Sequence, residues 1–300
     1  MPDETTVIVG IGEVLWDVLP SGKQLGGAPA NFIFHSREIG GGEVQPLLAS
    51  CVGKDALGAE ILARWEDLSL SGEFIGVDPV HPTGTVSVAV DSQGKPVFAI
   101  GENAAWDYLM ESPQLRELAA TADAVCFGTL AQRSPKSRKS IQAFLRQVEP
   151  DAIRILDVNL RAPFYSREVL DESLPLANIL KLNDAELRIL ADLFSIAGGE
   201  DAVAADLMRR FPLRWIVLTK GEKGSVLYSA QRKFVHRGYP VPVVDSIGAG
   251  DAFTAAIAVG MIHNFPTEDL NDCANRLASF VCGKAGAMPS VPDEIKKLFR

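Results

Sequence analysis

The stretch "ANILKLNDAELRILADLF", Ala177 to Phe194, passes from a short apolar run through a polar pair into apolar residues at helical spacing. Ala177 to Asn183 has the length of a strand, and Asp184 to Phe194 places Leu187, Leu190 and Phe194 on one face of a helix. A strand joined directly to an amphipathic helix is half of a βα unit. Similar strand-like runs recur at "TVIVGIG" (Thr6 to Gly12), "DAVCFGT" (Asp123 to Thr129), "AIRILDVN" (Ala152 to Asn159) and "RWIVLTKG" (Arg214 to Gly221), and Ser137 to Val148 repeats the helical spacing. This alternation predicts an α/β fold, a parallel sheet with helices on both faces. Ligands in such sheets sit at the carboxyl ends of the strands, and this chain collects polar residues there: Asp17, Asn159, Arg161, Asn183, Glu186, Thr219 and Asp251.

"GTVSVAVDSQGKPVFAIG", Gly84 to Gly101, breaks the pattern, because its period-two alternation on both sides of "DSQGK" reads as an antiparallel hairpin. It fits a small β lid outside the parallel sheet, joined by the chain near Glu13 to Gln24. An apolar face on "TVSVAV" would either cover the site or pair with its copy as a homodimer. No repeat and no long Pro/Gly/Ser linker divides the 300 residues, so a single domain spanning 1–300 is expected.

With 47% hydrophobic residues the chain can bury a large core, and a net charge of −9 without a basic run counts against nucleic acid or an anionic membrane as partner. The densest basic patch, "SPKSRKS" at Ser134 to Ser140, reads as the exposed start of a helix. Cys51, Cys126, Cys273 and Cys282 stand in apolar contexts without CxxC spacing, which predicts free buried thiols and a reducing, cytoplasmic setting. "MPDETTVIVG" lacks the basic start of a secretion signal, and the apolar helical run Ala252 to Ile262 is far short of the roughly 20 residues that span a bilayer.

Five motifs carry candidate chemistry. "VVDSIGAGDAFTAAIAVG", Val243 to Gly260, puts Gly248, Ala249, Gly250 and then Asp251 at the head of an apolar helix. This is either a capped helix start or a phosphate-binding turn with a working carboxylate. Gly26 and Gly27 precede an Ala-Pro-Ala-Asn helix start; Asp17 and Asn31 beside them suit a polyhydroxylated ligand, and a plain strand, loop and capped helix is the alternative. Asn183 and Glu186 either form a capping box or orient water around Mg2+. Thr219, Gly221 and Gly224 form a hairpin turn open to nucleotide phosphates or ribose, and Arg161 in "DVNLR" either pairs with a substrate or lies on the surface. Trp16 and Trp106 suit either sugar stacking or lid packing. His35, His81, His236 and His263 are scattered and read as incidental. GIGE lacks the third glycine of a dinucleotide fingerprint, and GxSxG, GxxxxGK[ST] and HExxH are absent.

In this order, GIGE with Asp17, GGAPAN (Gly26 to Asn31), "VGKDALG" (Val52 to Gly58), NDAE, TKGEKG and DSIGAGDAF (Asp245 to Phe253) resemble the ribokinase family of sugar kinases, also called the PfkB family. The resemblance implies a three-layer α/β/α sandwich with a mostly parallel sheet, a β-sheet lid from segments about 14–30 and 84–104, and transfer of the γ-phosphoryl of ATP to a sugar hydroxyl. Asp251 matches the catalytic base, and the amides of Gly248, Ala249 and Gly250 match the anion hole. Asp17, Gly26, Gly27 and Asn31 match sugar positions, with Asn103 and Arg161 shaping preference; Asn183 and Glu186 match the segment organising Mg2+ and phosphate. Thr219, Gly221 and Gly224 match the nucleotide turn, and Asn275 neighbours the adenine. Asp245, Ile247, Val281, Lys284, Gly286 and Ser290 line up with positions that hold K+ in some members, mostly through backbone oxygens. "DVNLR", "FAIGENAAWDYL" and "DSIGAGDAF" look most like bacterial fructokinases; ribose, 2-keto-3-deoxygluconate and nucleosides are the alternative acceptors, and a catalytically silent sugar- or nucleotide-binding module is the competing reading.

Overall fold

The computed structural model describes residues 5–19, 22–90 and 96–300. The chain opens with β1 (Thr6–Ile11), β2 (Leu15–Leu19), β3 (Gly22–Gly26), α1 (Ala28–Gly40), β4 (Val44–Gly53), α2 (Ala56–Asp67) and β5 (Ile75–Asp78). It continues with β6 (Gly84–Val90), β7 (Pro96–Ile100), α3 (Pro113–Thr121), β8 (Ala124–Phe127), α4 (Pro135–Leu145), β9 (Ile153–Asp157) and α5 (Arg167–Ser173). β10 (Ile179–Asn183), α6 (Asp184–Phe194), α7 (Glu200–Arg210), β11 (Trp215–Thr219), β12 (Ser225–Tyr228), β13 (Lys233–His236), α8 (Ala249–Ile262), α9 (Thr267–Cys282) and α10 (Asp293–Lys296) complete it.

Nine strands form the main sheet in the order β13-β12-β11-β10-β9-β8-β1-β4-β5. Every pairing from β11 to β5 is parallel, and only the β11-β12-β13 edge is antiparallel. Alternation along each strand feeds two cores. Ile8 packs on one side with Phe32, Ile33, Phe253 and Ile257, from α1 and α8. Its neighbours Val9 and Ile11 pack on the other with Ile141, Phe144, Leu190 and Leu207, from α4, α6 and α7. Helix, sheet and helix make three layers.

β2, β3, β6 and β7 form a separate sheet in the order β3-β2-β6-β7. The predicted hairpin is β6 paired antiparallel with β7, with Val86 opposite Ile100; its "DSQGK" turn, residues 91–95, lies outside the described residues. Asp17, a few residues beyond the end of β1, sits within β2 of this small sheet, opposite Gln24 of β3. The chain leaving β1 thus turns at once into the small sheet and returns through Gly26 and Gly27 to start α1.

α8 is buried from Ala252 to Gly260, because it lies between α1, α9 and the main sheet and has no solvent face over that span. Ser134–Ser140 begins α4 as expected, but Ser137 and Ser140 turn inward, so only part of that patch is exposed. Cys51, Cys126 and Cys273 are buried free thiols and Cys282 is partly buried. Among the described residues no helix is long and apolar enough to cross a membrane.

Candidate active site

The site is assembled where β9, β10, α1 and α8 converge. Lys181 stands opposite Asp157 in the parallel register of β10 and β9, and its ammonium reaches both carboxylate oxygens, at 2.8 and 3.1 Å. Thr254 of α8 donates to the same carboxylate at 3.0 Å. The ammonium also explains Gly250, since a Cβ there would lie 2.9 Å from Lys181 Nζ. Gly248, before the first turn of α8, has φ 79°, and a Cβ would lie 2.6 Å from the Ala287 carbonyl oxygen. Only glycine turns the chain into α8 here.

Asp251 lies in that first turn and faces α1, where Asn31 Nδ2 donates to its Oδ2 at 2.7 Å. Asp251 retains some solvent exposure, yet burial pushes its carboxyl up to about 7, helped by Asp157 and opposed by Lys181, Asn31 and Arg161. Asp17 is pushed up to about 6 by burial, with Arg161 opposing and Asp245 reinforcing. Gly27 joins the small sheet to α1 with φ 107°, and a Cβ would stand 2.5 Å from the Glu13 carbonyl oxygen. Gly26 is equally close to Asp17, whose Oδ2 occupies the space a side chain would take. The structure therefore brings Asp17, Gly26, Gly27, Asn31, Asp251 and the charge of Arg161 into one neighbourhood. Arg161 itself is exposed and donates to its neighbour's carbonyl at Leu160.

Asn183 and Glu186 form a reciprocal capping box: Asn183 Oδ1 accepts from the Glu186 amide at 2.9 Å and Glu186 Oε2 accepts from the Asn183 amide at 2.8 Å. Glu186 Oε1 accepts from the Leu160 amide at 2.9 Å, tying β10's exit to β9's. Burial raises the Glu186 carboxyl, while Lys181 opposes the shift. Thr219 ends β11, and Gly221 and Gly224 make the tight turn into β12 that the sequence predicts.

Other candidates stand apart. Asn275 is buried between α9 and β12, where its amide donates to Ser225 and to the Asn271 carbonyl at 2.8 and 2.7 Å. Asn103 is exposed beyond β7 and accepts from Tyr108 at 3.1 Å. Trp16 and Trp106 are both packed inside, Trp16 donating to the Leu57 carbonyl and Trp106 lying under Arg133. The Asp245 carboxylate accepts from the amides of Ile247 and Gly286, at 3.0 and 3.2 Å, so two segments of the expected cation loop are tied together. Val281 is buried with its carbonyl accepting from the Lys284 amide at 2.9 Å, and Ser290 is exposed. Among the described residues no three His, Cys, Asp or Glu side chains cluster as metal ligands.

The profile of the pfkB family carbohydrate kinases matches residues 18–294. The chain belongs to this family. The fructokinase of Salmonella typhimurium is 28% identical over 301 residues, covering 94% of this chain and 95% of that protein. The structure of an uncharacterized sugar kinase from Pyrococcus horikoshii in complex with ATP aligns at TM-score 0.81 and 25% identity, covering 98% of this chain and all of that one. A fructokinase double mutant from Vibrio cholerae O395, in a fructose-, ADP- and potassium-bound form, aligns at TM-score 0.81 and 22% identity over the whole of both chains, a likeness of fold. Membership of the pfkB family makes the protein a carbohydrate kinase and agrees with the three-layer architecture and the second sheet.

Two groups in the site went unread in the sequence. Lys181 lies in a run taken simply as apolar, although a lysine inside a strand covered on both faces demands a buried counter-ion, here Asp157. Glu13 was passed over as the end of GIGE. It is 2% exposed, and burial pushes its carboxyl up to about 7, with the Asp251 charge adding to the shift and Arg161 opposing it.

Proposed function

We propose that the protein is an ATP-dependent fructokinase. The observation that carries the phosphotransfer reading is Asp251, held by Asn31 in the first turn of α8 immediately after the Gly248 turn. Amides at a helix N-terminus favour an anion, the Ala249 amide making only a long 3.4 Å bond to the Ser246 carbonyl, and glycines let a phosphate approach them. Phosphoryl transfer asks for little else: a positioned alcohol, stabilised charge on the transferring group, and a base in line. Asp251 is the base, the amides of Gly248, Ala249 and Gly250 form the anion hole, and Asp17, Gly26, Gly27, Asn31 and Arg161 hold the sugar, with Asn103 on the rim.

Thr219, Gly221 and Gly224 provide the nucleotide turn, and Asn275 packs behind it. Mg2+ supplies charge neutralisation on the nucleotide when bound. Glu186 and Asn183 suit it as hard oxygen donors that act through water, each Glu186 oxygen having spent one lone pair on a backbone amide. A K+ ion would find mainly backbone oxygens in the segment of Asp245, Ile247, Val281, Lys284, Gly286 and Ser290, which Asp245 braces. The β3-β2-β6-β7 sheet serves as the lid that excludes water. Fructose is favoured over other acceptors by the Salmonella typhimurium relative.

A coupled assay of ADP release over fructose, ribose, 2-keto-3-deoxygluconate and adenosine tests this, and fructose is expected to give the highest kcat/KM. Preference for another acceptor would reassign the substrate. Failure of all four, with a ligand still raising the melting temperature, would instead establish a binding module.

The acid limb of kcat/KM has a defined place. Asp251 accepts a proton only when ionised, and its carboxyl is pushed up to about 7, so activity is lost as pH falls through that value. Glu13, also at about 7, interacts with Asp251, so the limb reports the pair. A profile flat down to pH 5 would contradict the assignment.

A further inference from the structure

We propose that Glu13 is a further substrate-contacting residue, whose free carboxyl oxygen accepts a hydrogen bond from a hydroxyl of the acceptor sugar other than the one Asp251 activates. This rests on the sugar-kinase reading and sharpens it. Glu13 follows β1 by one residue, Gly12, so the main sheet fixes its backbone. The backbone amides of Glu13 itself and of Ala28, in the first turn of α1, oppose the rise of its carboxyl. Its Oε2 is buried without any partner. Asn31 Oδ1, on the same first turn of α1, is also buried and unpartnered, while the Nδ2 of that amide is engaged by Asp251.

Both orphans are acceptors. Buried polar atoms are normally paired, and atoms left open beside a site are paired by what enters it. The entering group must therefore bring O–H or N–H donors, and a neutral polyol carries them on neighbouring carbons. An anionic substituent at this point would meet the charge of Asp251 as well as that of Glu13. Arg161 does not supply the missing partner, since no ion pair joins it to Glu13 and its guanidinium donates to the Leu160 carbonyl.

The test is a cycle of protein and ligand deletions. Fructose and its single-deoxy analogues are assayed for kcat/KM with the wild type, Glu13→Gln and Glu13→Ala. Should the acceptor panel favour another sugar, that sugar and its deoxy series take their place. In the wild type, one deoxy position beyond the phosphorylated one is expected to cost about tenfold or more, as for a hydrogen bond to a charged acceptor. In Glu13→Ala that single penalty disappears while the others persist, and the KM for ATP is unchanged. Glu13→Gln keeps an acceptor oxygen on a side chain of the same size and gives an intermediate penalty; it carries the cycle alone if the alanine variant does not fold. A purely structural Glu13 would lower activity toward every analogue by the same factor, and unchanged deoxy penalties in both variants would overturn this assignment alone. A wild type that phosphorylates no sugar overturns the kinase reading and this assignment together.

Discussion

Asp251→Asn is expected to lower turnover about 10²- to 10⁴-fold, the range for loss of a general base. The asparagine oxygen can still accept from Asn31 Nδ2, now at 2.7 Å from Asp251 Oδ2, so the joint between α1 and α8 persists. Folding is expected to improve at the same time. Burial raises this carboxyl to about 7, so the ionised form is disfavoured in the folded protein and that cost is present at pH values above 7. A neutral isostere removes it, and the melting temperature at pH 8 should rise while turnover collapses, the pattern of an active site that trades stability for chemistry. Steady-state kinetics and thermal melts of the two proteins decide the matter. Turnover close to wild type would remove Asp251 from the role of base.

The second large effect concerns the ion pair of Lys181 and Asp157 against the first turn of α8. Lys181→Met leaves Asp157, whose side chain is 4% exposed, without its cation. Removing one partner of a buried pair typically costs about 3–5 kcal/mol. Thr254 still donates to Asp157, but a neutral hydroxyl does not balance the charge. The double variant Lys181→Met/Asp157→Asn removes the stranded charge and should recover part of the loss. Lys181 also lowers the pKa of Asp251, so the acid limb of the single variant should move upward in pH. Denaturant titrations of the single and double variants measure the first effect, and a pH profile measures the second. A single variant as stable as wild type would show that the pair contributes little.

Much of the architecture was legible because it follows from short-range pattern. Ile179–Asn183 followed directly by Asp184–Phe194 announces a strand and a helix, and Asn183 with Glu186 announces the cap between them. The hairpin of β6 and β7 was equally plain from alternation. β2 itself was not read as a strand, because its five residues, with burial running from Leu15 and Trp16 to exposed Val18, show no clean period. The site was legible only as isolated halves. Gly248 to Asp251 and Gly26 to Asn31 each had a bland explanation, and nothing local states that Asn31 bonds Asp251. Lys181 and Glu13 escaped notice because their meaning depends on what a neighbouring strand or helix brings against them. Trp16 and Trp106 were left between stacking and packing, and both are packed.

The bond between Asn31 and Asp251 joins residues 220 positions apart. During synthesis the strands from β1 to β13 all emerge before α8, so a nascent chain can possess the whole sheet and the Gly26–Gly27 turn while Asn31 still lacks Asp251. With Asp251 as the proposed base, such a chain holds no means of spending nucleotide on a half-made pocket. The two halves meet in one step, when α8 docks against α1.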